Sequence, residues 1–144
     1  MSTATGALRP FTGVEVGSSL PELAIPLTRT LIVATALATR DFQDVHHDPA
    51  LAVERGSKDV FMNILTTNGL VGRFVTDWAG PQASLRRIAI RLGAPNYPGD
   101  VLTLTGEVIS NEAGVVTVKV RGVNSIGDHV TGTVTVARAA GGPQ

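Results

Sequence analysis

The chain has 144 residues, 43% of them hydrophobic, and a mean hydropathy of +0.21, so one domain can close around a core without staples. Lys plus Arg (12) balance Asp plus Glu (12) and the pI is near 6.8, which removes the electrostatic case for nucleic acid or an anionic membrane as a partner. The absence of cysteine excludes a disulfide frame, a thiol nucleophile and a thiolate metal site.

The opening stretch, MSTATGALRPFTG, lacks the apolar core of a signal peptide. No apolar run reaches membrane-spanning length, so the expected setting is the cytoplasm. Residues 1–12 and 139–144 read as loose tails on a single domain. Leu23 to Thr28 is extended in character, and Pro26 restricts it to a sheet edge or an irregular stretch. Thr28 or Thr30 can cap a helix over Leu31 to Thr39, which leaves Asp41 just beyond it on a loop. Asp48-Pro49 has the form of an N-cap with proline at the first helical position, starting a short helix over Ala50 to Arg55 that Gly56 ends. Phe61 to Trp78 is the longest helical pattern, about 27 Å at a rise of about 1.5 Å per residue. Phe61, Ile64, Leu65, Val71, Val75 and Trp78 make its main apolar face, so it is expected to be largely buried.

Beyond Gly80-Pro81 the period changes to two. Ser84 to Leu92 reads as one strand. Leu102, Leu104 and Val108 share a face with Gly106 in a second, Val116, Val118 and Val120 in a third, and Val130, Val134 and Val136 in a fourth. Asn111 to Gly114 and Ile126 to Asp128 are the turns between them. The predicted fold is α+β: an antiparallel meander wrapped around one buried helix, a hot-dog-like arrangement.

Two of the three histidines lie in Arg40-Asp41-Phe42-Gln43-Asp44-Val45-His46-His47-Asp48-Pro49. A carboxylate and an imidazole that converge on one water form a general acid/base pair, and Asp41 and His46 are the candidates. A lone Asp after a helix is ordinarily a turn carboxylate, and a lone loop His is ordinarily just satisfied, so the pair needs support from elsewhere. His47 reads as a rim neighbour, Asp44 as a turn residue, Asp48 as a cap and His129 as structural or solvated. Asn68 is a polar residue on an apolar helix, placed either to line a pocket or to bond a neighbour. Gly69 reads as a packing position. Arg86, Arg87 and Arg91, with Arg73, form a basic cluster in sequence, although strand alternation divides it between faces.

The support comes from a resemblance. The string from Arg40 to Ala52 resembles the hydratase motif of the MaoC-like hot-dog family, the (R)-specific enoyl-CoA hydratases. Asp41 and His46 match that motif's catalytic aspartate and histidine, and Asp48-Pro49 its following Asp-Pro. Ala94-Pro95-Asn96-Tyr97-Pro98-Gly99-Asp100 is similar to the family's second motif, which leads into a sheet strand. The resemblance covers residues 25 to 137. It departs at Arg40, where the family has Gly, at Gln43-Asp44, where it has Asn-Pro, and at Met62-Asn63, where it has His-Gly.

Within the family, Asp41 to Pro49, Gly56 to Phe61, Asn63 to Thr66 and Thr76 to Pro81 resemble the small hot-dog subunits of bacterial heteromeric steroid-CoA hydratases. That resemblance implies hydration of an α,β-unsaturated steroid side-chain CoA thioester in sterol side-chain degradation. Asp41 and His46 would activate the water and deliver the proton. The Asn63 backbone N–H would hold the thioester carbonyl, with an Asn63 side chain narrowing the approach where the family has Gly. Arg86, Arg87 and Arg91 are candidates for the CoA phosphates. It further implies no metal and no cofactor, CoA being part of the substrate. The implied partner is a larger hot-dog subunit with a DUF35 part, in an α2β2 heterotetramer, with a thiolase-like aldolase able to associate. The alternatives are a homodimeric hydratase of ordinary acyl-CoA, a non-catalytic hot-dog scaffold and, least supported by its motifs, a hot-dog thioesterase.

Overall fold

The alternating segments of the C-terminal half become four strands of one antiparallel sheet, and an N-terminal edge strand makes the fifth. The structure is a computed structural model that describes residues 14–138; the two tails read from the sequence lie outside that range. In chain order the elements are β1 (Leu23–Pro26), α1 (Arg29–Ala38), a 3₁₀ turn (Asp44–His46), α2 (Pro49–Glu54), α3 (Ile64–Ala79), β2 (Ala83–Leu92), β3 (Val101–Glu112), β4 (Val115–Val123) and β5 (Asp128–Arg138). The sheet order is β1-β3-β4-β5-β2.

The period-two residues face inward as their alternation requires. Leu102, Leu104, Val108, Val116, Val118, Val120, Val130, Val134 and Val136 are all buried, and Val71, Phe74 and Val75 of α3 join them in one core. Each such side chain contributes on the order of 1.5–3 kcal/mol by leaving water. Ala113 and Gly114, at φ 52° and 82°, make the two-residue turn between β3 and β4, a left-handed pair suited to a twisted hairpin. β1 sits at the sheet edge against β3, where Pro26 lacks only a donor that an edge strand can spare.

Two expectations need correction. The last four strands are not a simple meander: β2 pairs with β5, because β1 and β4 already occupy both sides of β3. The Gly93 and Ala94 N–H groups extend the β2–β5 pairing by donating to His129 and Asp128 carbonyls. The central helix is also shorter and less buried than its pattern implies. Asn63 caps it, accepting from the Thr66 N–H at 3.1 Å, so Phe61 precedes it. With Thr67, Val71 and Val75 fixed against the sheet, Leu65, Gly69, Arg73 and Asp77 turn outward. Ile64 and Leu65 are 52% and 48% exposed in the single chain.

His129 is structural, as expected, but buried at 2% exposure rather than solvated. Its Nδ1–H donates to the Ala94 carbonyl at 2.6 Å, which leaves Nε2 to accept from the Thr67 hydroxyl at 2.8 Å. Burial pushes this imidazole below its ordinary range. The unfolded chain therefore binds the proton more readily than the folded one. The stabilising contribution is complete above about pH 6.5 and is lost as pH falls from there through the folded value. Urea midpoints are expected to drop on acidification across that window, and to drop less in His129→Gln. An identical pH dependence in the variant would assign the effect to other groups.

Candidate active site

Asp41 owes its position to the way α1 ends. The Asp41 N–H donates to the Ala36 carbonyl at 2.9 Å and the Arg40 N–H to the Leu37 carbonyl at 3.0 Å, the paired bonds of a Schellman ending. Arg40 occupies the left-handed position of that motif at φ 57°. A residue with a Cβ costs about 1 kcal/mol there, which explains why glycine suits the position and marks Arg40 as a strained substitute. The turn aims the Asp41 carboxylate back toward the residues that precede α3.

His46 closes the 3₁₀ turn and is 6% exposed. Its ring stands edge-on to Phe61, with centroids 4.9 Å apart. Nδ1 lies 2.7 Å from the Phe61 carbonyl, which can only accept, so Nδ1 carries a proton and Nε2 is the free nitrogen. Nε2 faces Asp41 Oδ2 at 3.4 Å. With the imidazole neutral, two acceptors confront each other across that gap. A water donating one proton to each satisfies both.

Backbone bonds bring the separate motifs to one place. The Phe61 N–H donates to the Val45 carbonyl at 3.2 Å and the Met62 N–H to the Asn96 carbonyl at 3.1 Å, tying the residues before α3 to both motif segments. Asn124 clamps the second motif by donating to the Pro95 carbonyl and Asn96 Oδ1, each at 2.9 Å. Gly99, at φ 89°, turns the chain so that its N–H donates to the Leu27 carbonyl at 2.7 Å, and Asp100 then leads into β3.

Asn63 is 2% exposed at the N-terminus of α3. Both ends of its side-chain amide are engaged. Oδ1 caps the helix, while Nδ2 donates to Thr39 Oγ1 at 2.9 Å and to Asp41 Oδ2 at 3.2 Å. The first-turn N–H groups lie at the positive end of a 16-residue helix, where they favour negative charge.

The remaining candidates lie around or away from this centre. Asp44 pairs with Arg55 at 2.7 Å, and that guanidinium holds its carboxyl below the usual range. Asp48 caps α2 by accepting from the Leu51 N–H. His47 is half-buried and lines a depression of about 340 Å³ with Phe42, Gln43, Asp44, Val45 and Arg55, which includes neither Asp41 nor His46. Asn68 is half-buried, and its buried Oδ1 has no partner among the described residues, so that atom does not bond a neighbour. Arg86, Arg87 and Arg91 are exposed on β2. Register places Arg87 and Arg91 opposite Thr135 and Thr131 on the outer face, with Arg86 in a register shift. Arg73 is drawn off by Asp77 at 3.4 Å, so the four arginines do not form one cluster. Sequence reasoning missed Thr39 and the Asn63 side chain. Asn at the cap with a hydroxyl residue three positions on was the available signal for the latter.

The family model of the MaoC like domain matches residues 14–134. A protein of Mycobacterium tuberculosis, the 3-oxo-4,17-pregnadiene-20-carboxyl-CoA hydratase beta subunit, is 58% identical over 122 residues, covering 85% of this chain and 95% of its own. The ChsH1-ChsH2 complex from M. tuberculosis contains a chain that superposes with a TM-score of 0.85 at 57% identity, covering 87% of this chain and 98% of that one. The (R)-hydratase from A. caviae involved in PHA biosynthesis shares the fold, with a TM-score of 0.78 at 22% identity over 89% of this chain and 99% of its own.

Proposed function

This chain belongs to the MaoC-like domain family, and on that premise we propose that it is the catalytic subunit of a heteromeric hydro-lyase that hydrates an α,β-unsaturated steroid side-chain CoA thioester. The observation that carries the reading is the 3.4 Å approach of Asp41 Oδ2 to His46 Nε2, with the other ring nitrogen committed to the Phe61 carbonyl.

Hydration of a conjugated thioester adds hydroxide at Cβ and a proton at Cα. Asp41 and His46 hold one water between two acceptors. As its oxygen attacks Cβ, the pair takes up a proton, and the pair then delivers a proton to Cα, so both groups end as they began. Electron density moves onto the thioester oxygen during attack. The Asn63 backbone N–H, at the positive end of α3, stabilises that oxygen where charge develops. The reaction is redox-neutral and proceeds by proton transfer, so the reading needs no metal and no cofactor beyond the CoA of the substrate.

The exposed Ile64 and Leu65 on α3 and the exposed Leu85 and Leu92 on β2 support an associated rather than solitary chain. The proposed partner is a larger hot-dog subunit bearing a DUF35 part, in an α2β2 assembly to which a thiolase-like aldolase can attach. Arg86, Arg87 and Arg91, which have no carboxylate partner among the described residues, are assigned to the CoA phosphates. No described helix is long and apolar enough to cross a membrane.

Co-purification with a candidate larger subunit, followed by incubation with an unsaturated steroid-CoA, tests the reading. The expected product carries one added water and retains its CoA. Robust turnover of crotonyl-CoA by this chain alone as a homodimer would instead favour the ordinary acyl-CoA hydratase, and released CoA would indicate a thioesterase.

A further inference from the structure

We propose that the Asn63 side chain is a positioning residue for the acid/base pair, fixing the Asp41 carboxylate against His46 while locking it to the end of α3. The inference rests on the hydratase reading and goes beyond it, because the role assigned to Asn63 there belongs to its backbone.

The amide orientation follows from its partners. Oδ1 faces the Thr66 N–H, which can only donate, so Nδ2 must be the end that faces Asp41 and Thr39. The Thr39 hydroxyl donates to the Thr35 carbonyl at 2.7 Å and accepts from Nδ2, which leaves the second Nδ2 hydrogen for Asp41. The result is a fixed chain: Thr35 carbonyl, Thr39 hydroxyl, Asn63 amide, Asp41 Oδ2, His46 Nε2. It joins the C-terminus of α1 to the N-terminus of α3 across residues far apart in sequence. The Asp41 carboxylate needs this support: the only other hydrogen bond it accepts among the described residues is a long one, at 3.4 Å, from the Gln43 N–H to Oδ1. A buried amide with every position engaged is rigid. It holds the carboxylate at a set distance from the helix end that receives the thioester oxygen, so water and acceptor keep a constant separation.

The charged groups nearby are otherwise occupied. Asp41 is faced by His46 from the 3₁₀ turn and by Asn63 from α3; Asp44 is taken by Arg55 of α2, Asp48 caps α2, and Arg29 pairs with Asp59. Arg40 is exposed.

Asn63→Ser and Asn63→Asp separate positioning from folding, since Ser and Asp cap helices about as well as Asn. In the assembled enzyme, Asn63→Ser is expected to lower kcat on the order of 10- to 100-fold with KM little changed and the melting temperature held. Asn63→Asp sets a second carboxylate against Asp41. The acid limb of its pH–rate profile, and the His46 ring titration followed by NMR in the full chain, are each expected to move up. A wild-type kcat in Asn63→Ser, or an unmoved His46 titration in Asn63→Asp, would overturn the proposal. The NMR arm needs no substrate. If the wild-type assembly fails to hydrate, the hydratase reading falls, while the titration still decides whether Asn63 governs the pair. If wild type hydrates and Asn63→Ser does so equally well, only this inference falls.

Discussion

Asp41→Asn, assembled with the proposed larger subunit, is expected to lower kcat for hydration about a thousandfold, within the range of general acid/base catalysis. Asn keeps the volume of the side chain but cannot accept a proton from water, and its single oxygen can keep only one of the two bonds that the carboxylate accepts, from Asn63 Nδ2 and from the Gln43 N–H. It can still meet the Gln43 N–H through its oxygen, so the α1 ending should survive and the melting temperature should stay near wild type. His46→Ala should cost a similar factor in rate, with some stability lost as well, because a ring that is 6% exposed leaves a void beside Phe61. The double variant should be little worse than either single one, because the two groups act on one water. Steady-state kinetics of the three variants, each checked for assembly, decide the matter. Unchanged hydration in Asp41→Asn would leave this subunit as a scaffold and move the chemistry to its partner.

Asp41 and His46 were readable in the sequence because they lie only five positions apart, and a helix ending and one 3₁₀ turn suffice to bring them together. The inward faces of β3, β4 and β5 were readable for the same local reason: alternation fixes which side a residue takes whatever the strand order. Strand order itself depends on which edges are already occupied, and nothing within Ser84 to Leu92 tells β5 from β3 as a neighbour. The outward turn of Ile64 and Leu65 was hidden because both fit the helical period of the core face, and only the capping at Asn63 shows that the first turn runs beyond it. The bond from Asn63 to Asp41 spans 22 residues, a contact that only the folded chain creates. The register shift that takes Arg86 out of the β2–β5 pairing, and the ion pair that draws Arg73 to Asp77, likewise follow from the folded chain rather than from spacing.

Phe74→Ala is expected to cost about 3–5 kcal/mol, the usual toll for deleting a buried aromatic ring. Against a total stability of about 5–15 kcal/mol, that is the largest single loss expected in this core. Phe74 is 3% exposed on the face of α3 that meets the sheet, and Gly106 in β3 lies beneath its ring. A Cβ built on Gly106 would come within 2.9 Å of Phe74 Cε1 and 3.0 Å of Val118 Cγ1. The two positions therefore share one volume, divided as a large residue over an absent side chain. Gly106→Ala alone should destabilise by roughly 1–3 kcal/mol through overpacking. In a Phe74→Leu background the same change meets a smaller neighbour and should cost less. A double-mutant cycle read by urea unfolding, with Trp78 fluorescence as the reporter, measures that coupling. Strict additivity would mean that the glycine serves the strand backbone alone. A favourable coupling would show that β3 carries glycine on its core face to admit the central helix, the same helix whose N-terminus meets Asp41 through Asn63.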